Sequence, residues 1–297
     1  MKAGPDKDRS LRIGFIGAGQ LAVPLAWSLS RAGYPVTGAA SRSRASAERL
    51  AAGIENAKVY GTVQALLDDS DLVIVAVPDD AIEPVTRAAA WQRRHSVVHC
   101  SGATEVAALS AAAAAGAATG GFHPLQTFTN TQTAIAALPG CTIAIEAEAD
   151  LRDALWAMAK ALGCSPIRLP PGARALYHAS GSFAASFLVR LMNDALDLWS
   201  AFGVSREDAF KALLPLTKGT VAALEANGPI RALAGPIARA DVGTVARHIE
   251  GLRTRAPHLL PTYLDLARRS IALSEEKGGA DRERLAALED LLDKAQA

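Results

Sequence analysis

Between a short apolar run and a helix-forming stretch the chain reads Gly17-Ala18-Gly19-Gln20-Leu21-Ala22, and this Gly-x-Gly-x-x-Ala turn restricts the fold more tightly than any other local pattern. The residues before it, 12–17, read as a strand, and 20–32 read as a helix that stops at Gly33, a residue suited to ending one. The first backbone N–H groups of a helix have no internal partner. They point into the space beyond the strand, where together with the helix dipole they favour a phosphate. In such a turn Gly17 permits the tight bend, Gly19 lets a pyrophosphate approach the backbone, and Ala22 lets the helix pack close to the sheet. Gly17, Ala18, Gly19, Gln20 and Leu21 are therefore expected to cradle the pyrophosphate of a dinucleotide.

The end of the next strand, 36–41, decides which dinucleotide is expected. An acidic residue there would hold the ribose hydroxyls of NAD, but the chain reads Ser41-Arg42-Ser43-Arg44. Hydroxyls and guanidinium groups suit a 2′-phosphate, so Ser41 and Arg42 point to NADP. The plainer alternative is that Arg42 is a solvated side chain after a surface strand. In a doubly wound sheet ligands lie outside the carboxyl ends of the strands, so the turns Val77-Pro78-Asp79 and Ser101-Gly102 are expected to line the same site. Asp79 and Asp80 equally suit helix capping, and the Ser101 hydroxyl equally suits turning the chain.

From residue 11 to about 169, short branched runs alternate with helical stretches, the pattern of βαβ units and a parallel sheet. Strands are expected at 12–17, 36–41, 72–77, 96–100, 141–146 and 165–169, with a helix over 149–162. Beyond Pro170-Pro171-Gly172 everything reads as helix: 173–202, 206–226, 242–253, 257–276 and 282–294. The expected architecture is an α/β Rossmann domain with a doubly wound, mainly parallel sheet over 10–170, followed by an all-α domain over 171–297 for substrate and dimerisation. The first long helix carries Leu176, Phe183, Phe187, Leu191, Ala195 and Leu198 at spacings of three, four or seven, a broad apolar face suited to a core or a homodimer.

Composition excludes several classes. With 31 basic and 30 acidic residues the formal net charge is +1, and no long run of one sign suggests nucleic acid or an anionic membrane surface. Three cysteines lack metal-ligand spacing and are odd in number, so neither a metal site nor a disulfide framework is expected. With no apolar span of about 20 residues and a polar start to the chain, a cytoplasmic protein is expected.

Reduction of a ketone or imine by hydride needs a proton for the heteroatom, and His, Lys and Tyr are the usual donors. His123, in the segment Gly120-Gly121-Phe122-His123-Pro124-Leu125-Gln126-Thr127-Phe128, reads as part of a loop between helix and strand. It is one candidate, against the alternative of fixing that loop by backbone hydrogen bonds. His178 with Tyr177, just after the expected domain boundary, is a second, and Lys218 a third, unless it is simply an exposed lysine. Arg239 suits a carboxylate or an inter-subunit salt bridge, and Asp241 suits a helix N-cap.

On Gly17-Ala18-Gly19, Val77-Pro78-Asp79, Ser101-Gly102, His123-Pro124-Leu125 with Phe128, Tyr177-His178, Pro215-Leu216 and Gly235-Pro236-Ile237-Ala238-Arg239 with Asp241 and His248, the chain resembles Rossmann-like oxidoreductases that carry a helical C-terminal domain of unknown function. Their wider relatives include pyrroline-carboxylate reductase, ketopantoate reductase, the β-hydroxyacid dehydrogenases and the 6-phosphogluconate dehydrogenase C-terminal-like group. The resemblance implies a homodimeric NADP-dependent oxidoreductase that reduces a small oxo acid or imine at the cleft between its domains. The alternative is a non-catalytic NADP-binding sensor or regulatory module. Two departures stand out: Ala184-Ala185-Ser186 where relatives often read Ala-Ser-Asn, and Arg239-Ala240-Asp241 where they commonly read Arg-Gly-Asp. The lysine and asparagine pattern of the β-hydroxyacid dehydrogenases is not recognisable.

Overall fold

In the computed structural model, which describes residues 10–296, the first elements are β1 (Ile13–Ile16), α1 (Ala22–Arg31), β2 (Val36–Ala40), α2 (Arg44–Ala52), β3 (Lys58–Tyr60), α3 (Val63–Asp68), β4 (Leu72–Val75), α4 (Asp79–Arg87) and β5 (Ser96–His99). They continue as α5 (Ser110–Ala114), β6 (Ala118–Leu125), α6 (Thr131–Ala137), β7 (Thr142–Ala147), α7 (Ala149–Ala161), β8 (Ser165–Arg168) and α8 (Arg174–Ala184). The strands form one eight-stranded sheet in the order β3-β2-β1-β4-β5-β6-β7-β8. All neighbours are parallel except β6 and β7, which run antiparallel from Gly120 opposite Ala147 to Leu125 opposite Thr142. This is the expected doubly wound, mainly parallel arrangement.

Both faces of the sheet are covered, and the strand periodicity shows how. Ile13, Phe15, Leu72 and Ile74 pack with α1 and α7 residues such as Leu25, Leu29, Leu155 and Met158. The alternating Ile16, Val73 and Val75 pack on the other side with Leu66, Leu67 and Ile82. Side chains on a strand alternate between faces, so a run such as Leu72-Val73-Ile74-Val75 must be apolar throughout. Side-chain caps fix the helix starts: Ser43 Oγ accepts from the Ser46 amide at 3.3 Å, and Thr62 Oγ1 from the Ala65 amide at 3.2 Å.

Several expectations about elements are corrected. The segment from Gly120 to Leu125, including His123, is strand β6 rather than a loop, and the short edge strand β3 was not foreseen. The single helix expected over 173–202 is two, because the backbone leaves helical geometry at Ala185 (φ −123°, ψ −72°). The chain forms two compact units, the first running to Ser186 and the second beginning at Phe187. The first unit thus includes α8, whose leading residue, Arg174, is buried against the sheet.

The second unit comprises α9 (Ser186–Ser200, from Phe187 on), α10 (Arg206–Ala232), α11 (Val242–Arg255), α12 (Leu260–Lys277) and α13 (Arg282–Gln296). Its main core joins the last three through Val245, Ile249, Leu264, Ile271, Leu285 and Leu288. The helix expected to end at 226 instead runs on to Ala232 through a break at Gly228 (φ +73°) just before Pro229. Asp241 caps α11 as expected, its Oδ1 accepting from the Thr244 amide at 3.0 Å. The preceding Ala240 has φ +47°, the left-handed region that glycine adopts without strain. No described helix is long and apolar enough to cross a membrane.

Candidate functional site

The glycine turn lies at the end of β1, against Ala76 just past β4. Gly17 has φ +95°, and a Cβ there would overlap the Ala76 carbonyl, so both backbone conformation and space require glycine. A Cβ at Gly19 would meet nothing within 4 Å, since this residue faces an open crevice. That crevice, of about 520 Å³, is lined by Gly17, Ala18, Gly19, Ser41, Arg42, Ser46, Thr62, Val77 and Pro78 among others, and no carboxylate lines it. The residues present fit a dinucleotide: an open phosphate cradle at a helix N-terminus, with hydroxyls and a guanidinium at the end of the second strand.

Arg42 is exposed and makes no hydrogen bond or ion pair among the described residues, whereas its neighbour Arg44 is held by Glu48 at 2.9 Å. Ser43 is spent on the α2 cap, which leaves Ser41 and Arg42 facing the crevice. A smaller hollow of about 240 Å³ continues past Gly19, Gln20 and Leu21 to Val77, Pro78, Asp79, Cys100 and Ser101. All the expected cofactor-site residues therefore line one or the other hollow, except Gly102, the next residue along from Ser101. Asp79 and Asp80 do not cap α4. Pro78 occupies the cap position, and both carboxylates sit in the first turn, where the helix dipole favours them. The Ser101 hydroxyl turns the chain by accepting from the Ala103 and Thr104 amides at 3.2 and 2.9 Å.

Beyond Ser101 lies a cluster of polar side chains. A Cβ at Gly102 would touch both the His123 and His178 rings, so the glycine lets the turn lie directly on them. His123 Nδ1 and the Tyr177 hydroxyl share a 2.8 Å hydrogen bond, and the His123 and His178 ring centroids are 6.2 Å apart. Two of the three expected proton donors thus come together, with Tyr177 of α8 bonded to His123 of β6. Lys218 stands apart from them in the chain, exposed on α10 of the second unit. Burial, with the charges of His178 and Arg174, holds His123 down to about 4, and burial raises the Tyr177 phenol to about 12. At neutral pH both are uncharged.

Sequence reasoning missed the groups behind this pair. Arg174 is fully buried, its Nε donating to Glu146 Oε2 at 2.6 Å and its Nη1 to the Ser101 carbonyl at 2.7 Å. His99, at the end of β5, is also fully buried and is held down to about 4, first by burial and then by the Arg174 charge. The only local signal was the pair Gly120-Gly121, since a Cβ at Gly121 would overlap the Arg174 guanidinium. Among the described residues no three His, Cys, Asp or Glu are grouped to hold a metal ion.

Comparison with known families resolves the chain into two parts. Residues 2–124 match the Rossmann-like domain, and residues 141–270 match a domain of unknown function, DUF2520. Along the chain a Rossmann-like match is followed by a DUF2520 match. The search of curated proteins found no match.

Solved structures are similar in fold over most of the chain. A putative NADP oxidoreductase from Bacteroides fragilis is 23% identical, covers 90% of this chain and 100% of its own, and superposes with a TM-score of 0.70. An imine reductase from Myxococcus stipitatus in complex with NADP+ is 19% identical, with 93% and 99% coverage and a TM-score of 0.64. A reductive aminase from Aspergillus terreus in complex with NADPH and ethyl-5-oxohexanoate is 19% identical, with 97% and 94% coverage and a TM-score of 0.62. At these identities the likeness is one of fold.

Proposed function

We propose that this protein is an NADP-dependent oxidoreductase that reduces the C=O or C=N bond of a small oxo acid or imine. The observation that carries the reading is the crevice at the end of β1 and β2. There an unobstructed phosphate cradle adjoins Ser41 and an unpaired Arg42, with no carboxylate to favour a free ribose. The structural neighbours named as NADP oxidoreductase, imine reductase and reductive aminase support the same reading.

Bound NADPH would supply a hydride to the carbon of the reduced bond. The part of this chain is to hold the cofactor and to deliver a proton to the heteroatom. Gly17 to Leu21 bind the pyrophosphate through backbone N–H groups, and Ser41 and Arg42 bind the 2′-phosphate. When the Nδ1–H of neutral His123 donates to the Tyr177 oxygen, the phenol proton is left free to face the heteroatom. As that O–H bond breaks and the new N–H or O–H bond forms, Nδ1 returns a proton to Tyr177 and Nε2 takes one from solvent, so the pair regains its charge. The exposed His178 flanks the pair. The proposal includes a homodimer, since the second unit leaves Val189, Leu216 and Val221 at least half exposed.

The test is to titrate the protein with NADPH and NADH, then follow nicotinamide absorbance with a panel of oxo acids and cyclic imines. NADPH-dependent turnover of a panel member is the expected outcome. Tight NADPH binding without turnover across the panel favours the sensor instead, and failure to bind either dinucleotide rejects both readings.

A further inference from the structure

Four elements of the first unit meet at Arg174. Its backbone opens α8, its Nε is held by Glu146 of β7, its Nη1 by the Ser101 carbonyl just past β5, and its guanidinium lies over Gly121 of β6. Gly121 and Glu146 are register partners, so the acid and the vacant side-chain position that receive the guanidinium are opposite each other on neighbouring strands. Nη2 is buried and has no hydrogen-bond partner. Enclosing an arginine in this way is costly unless its geometry is well satisfied, and an apolar side chain would fill the same volume without the penalty. The arrangement therefore calls for a reason beyond packing.

The reason lies three residues along. Positions i and i+3 share a face of a helix, so the residue that anchors α8 to the sheet also sets where Tyr177 emerges. Tyr177 reaches back to β6, the strand on which Gly121 seats the guanidinium and His123 receives the phenol two residues later. Through the Ser101 carbonyl the same side chain fixes the turn that places Gly102 against His123 and His178. We propose that Arg174, seated on Gly121 and held by Glu146, is the positioning residue of the His123–Tyr177 pair.

The inference rests on the reading of that pair as proton donors, but its geometry can be measured without turnover. The groups that face His123 are Tyr177, His178 and Arg174 from α8, Asp79 from the first turn of α4, and His99 from β5. Arg174 and His178 disfavour an imidazolium there, and Asp79 favours it. Removing the guanidinium charge should leave His123 easier to protonate as well as loosening its hydrogen bond.

The experiment is an NMR titration of the full chain with labelled histidine, in the native protein and in three variants. Arg174→Met combined with Glu146→Gln removes both charges, so that neither is left buried alone. Arg174→Lys keeps a charge but loses the fork, and Gly121→Ala leaves both partners intact but fills the seat. Circular dichroism and NADPH binding establish that each variant is folded. The expected result is that the His123 titration midpoint rises above its native value in the double variant while staying below the ordinary 6.5, because burial and His178 still lower it. The Nδ1 signature of the Tyr177 hydrogen bond should disappear in both the double variant and Gly121→Ala, with Arg174→Lys intermediate. Where a substrate has been found, kcat should fall about 100-fold with KM for NADPH unchanged, the cost of an ångström-scale misplacement. A folded double variant with the native His123 midpoint and hydrogen bond overturns the proposal. If the double variant does not fold, Arg174→Lys and Gly121→Ala decide by the hydrogen-bond readout, and a native Nδ1 signature in both folded variants overturns the proposal. A chain that reduces nothing on the panel still returns these readouts, which separates failure of the positioning role from failure of the functional reading.

Discussion

The crevice and the polar cluster beyond Ser101, the outer and inner ends of the candidate site in the first unit, are built on opposite principles. At the outer end, Gly17, Gly19, Ser41 and Arg42 come from two short stretches and line a crevice, to which Gly19 and Arg42 are exposed. At the inner end, Ser101, Gly121, His123, Glu146, Arg174 and Tyr177 come from three elements and the turn after β5, and their polar atoms are spent largely on one another. In the proposed reading the outer end binds by being unsatisfied. The inner end depends on being satisfied, because each buried charge and imidazole there costs free energy unless it is paired or neutral. Substitutions should therefore show up as lost affinity at one end and as lost stability or chemistry at the other.

The largest expected effect tests the inner end directly. Arg174→Met alone leaves Glu146 mostly buried without its partner and should destabilise the fold by about 3–5 kcal/mol in denaturant unfolding. Adding Glu146→Gln should restore much of that loss, and no recovery would mean that the pair is not what holds the region. Next comes Tyr177→Phe, which removes the phenol and keeps the ring. With the substrate found on the panel, kcat should fall by about 10²–10⁴-fold while NADPH affinity stays at its native value. An equal loss of affinity would erase the contrast between the two ends.

Acid should also act on the inner end first. His99 and His123 are held at about 4 in the folded chain, below the ordinary 6.5 that they regain on unfolding. Between those values the unfolded chain binds more protons. Their contribution to stability is thus complete above about 6.5 and is lost as pH falls toward about 4. Chemical denaturation at a series of pH values should show stability falling across this window, and a flat profile would place both imidazoles in water. The smallest effect belongs to the outer end: Ser43→Ala removes the α2 cap and should cost about 1 kcal/mol, leaving the His123–Tyr177 hydrogen bond unchanged by NMR.

The same contrast explains what could be read from the chain. The glycine turn and the ending Ser41-Arg42 are local, and so are the unbroken runs of β1 and β4, because a strand covered on both faces has to be apolar at every position. Edge strand β3, only Lys58-Val59-Tyr60, is too short and too exposed to give such a signal. β6 was hidden by Gly120, Gly121 and Pro124, residues that ordinarily mark a turn. Here Gly121 is small because Arg174 occupies its side-chain space, and that reason lies more than fifty positions further along the chain. The expected pairing of Asp79 or Asp80 with a capping role failed similarly, since Pro78 already sets the start of α4. His123 and Tyr177 were each visible as proton-bearing residues. Their hydrogen bond and the buried frame around it exist only once β6, β7 and α8 have come together.

The central claim is that the outer end, the crevice, is a site for a 2′-phosphorylated dinucleotide, and isothermal titration of NADPH and NADH against the native chain and Arg42→Asp tests it most directly. The native protein should bind NADPH at least about tenfold more tightly than NADH, a preference of about 1.4 kcal/mol, and Arg42→Asp should abolish or reverse that preference mainly by weakening NADPH. Equal affinity for the two dinucleotides in the native chain, or a loss in Arg42→Asp that is the same for both, would contradict it.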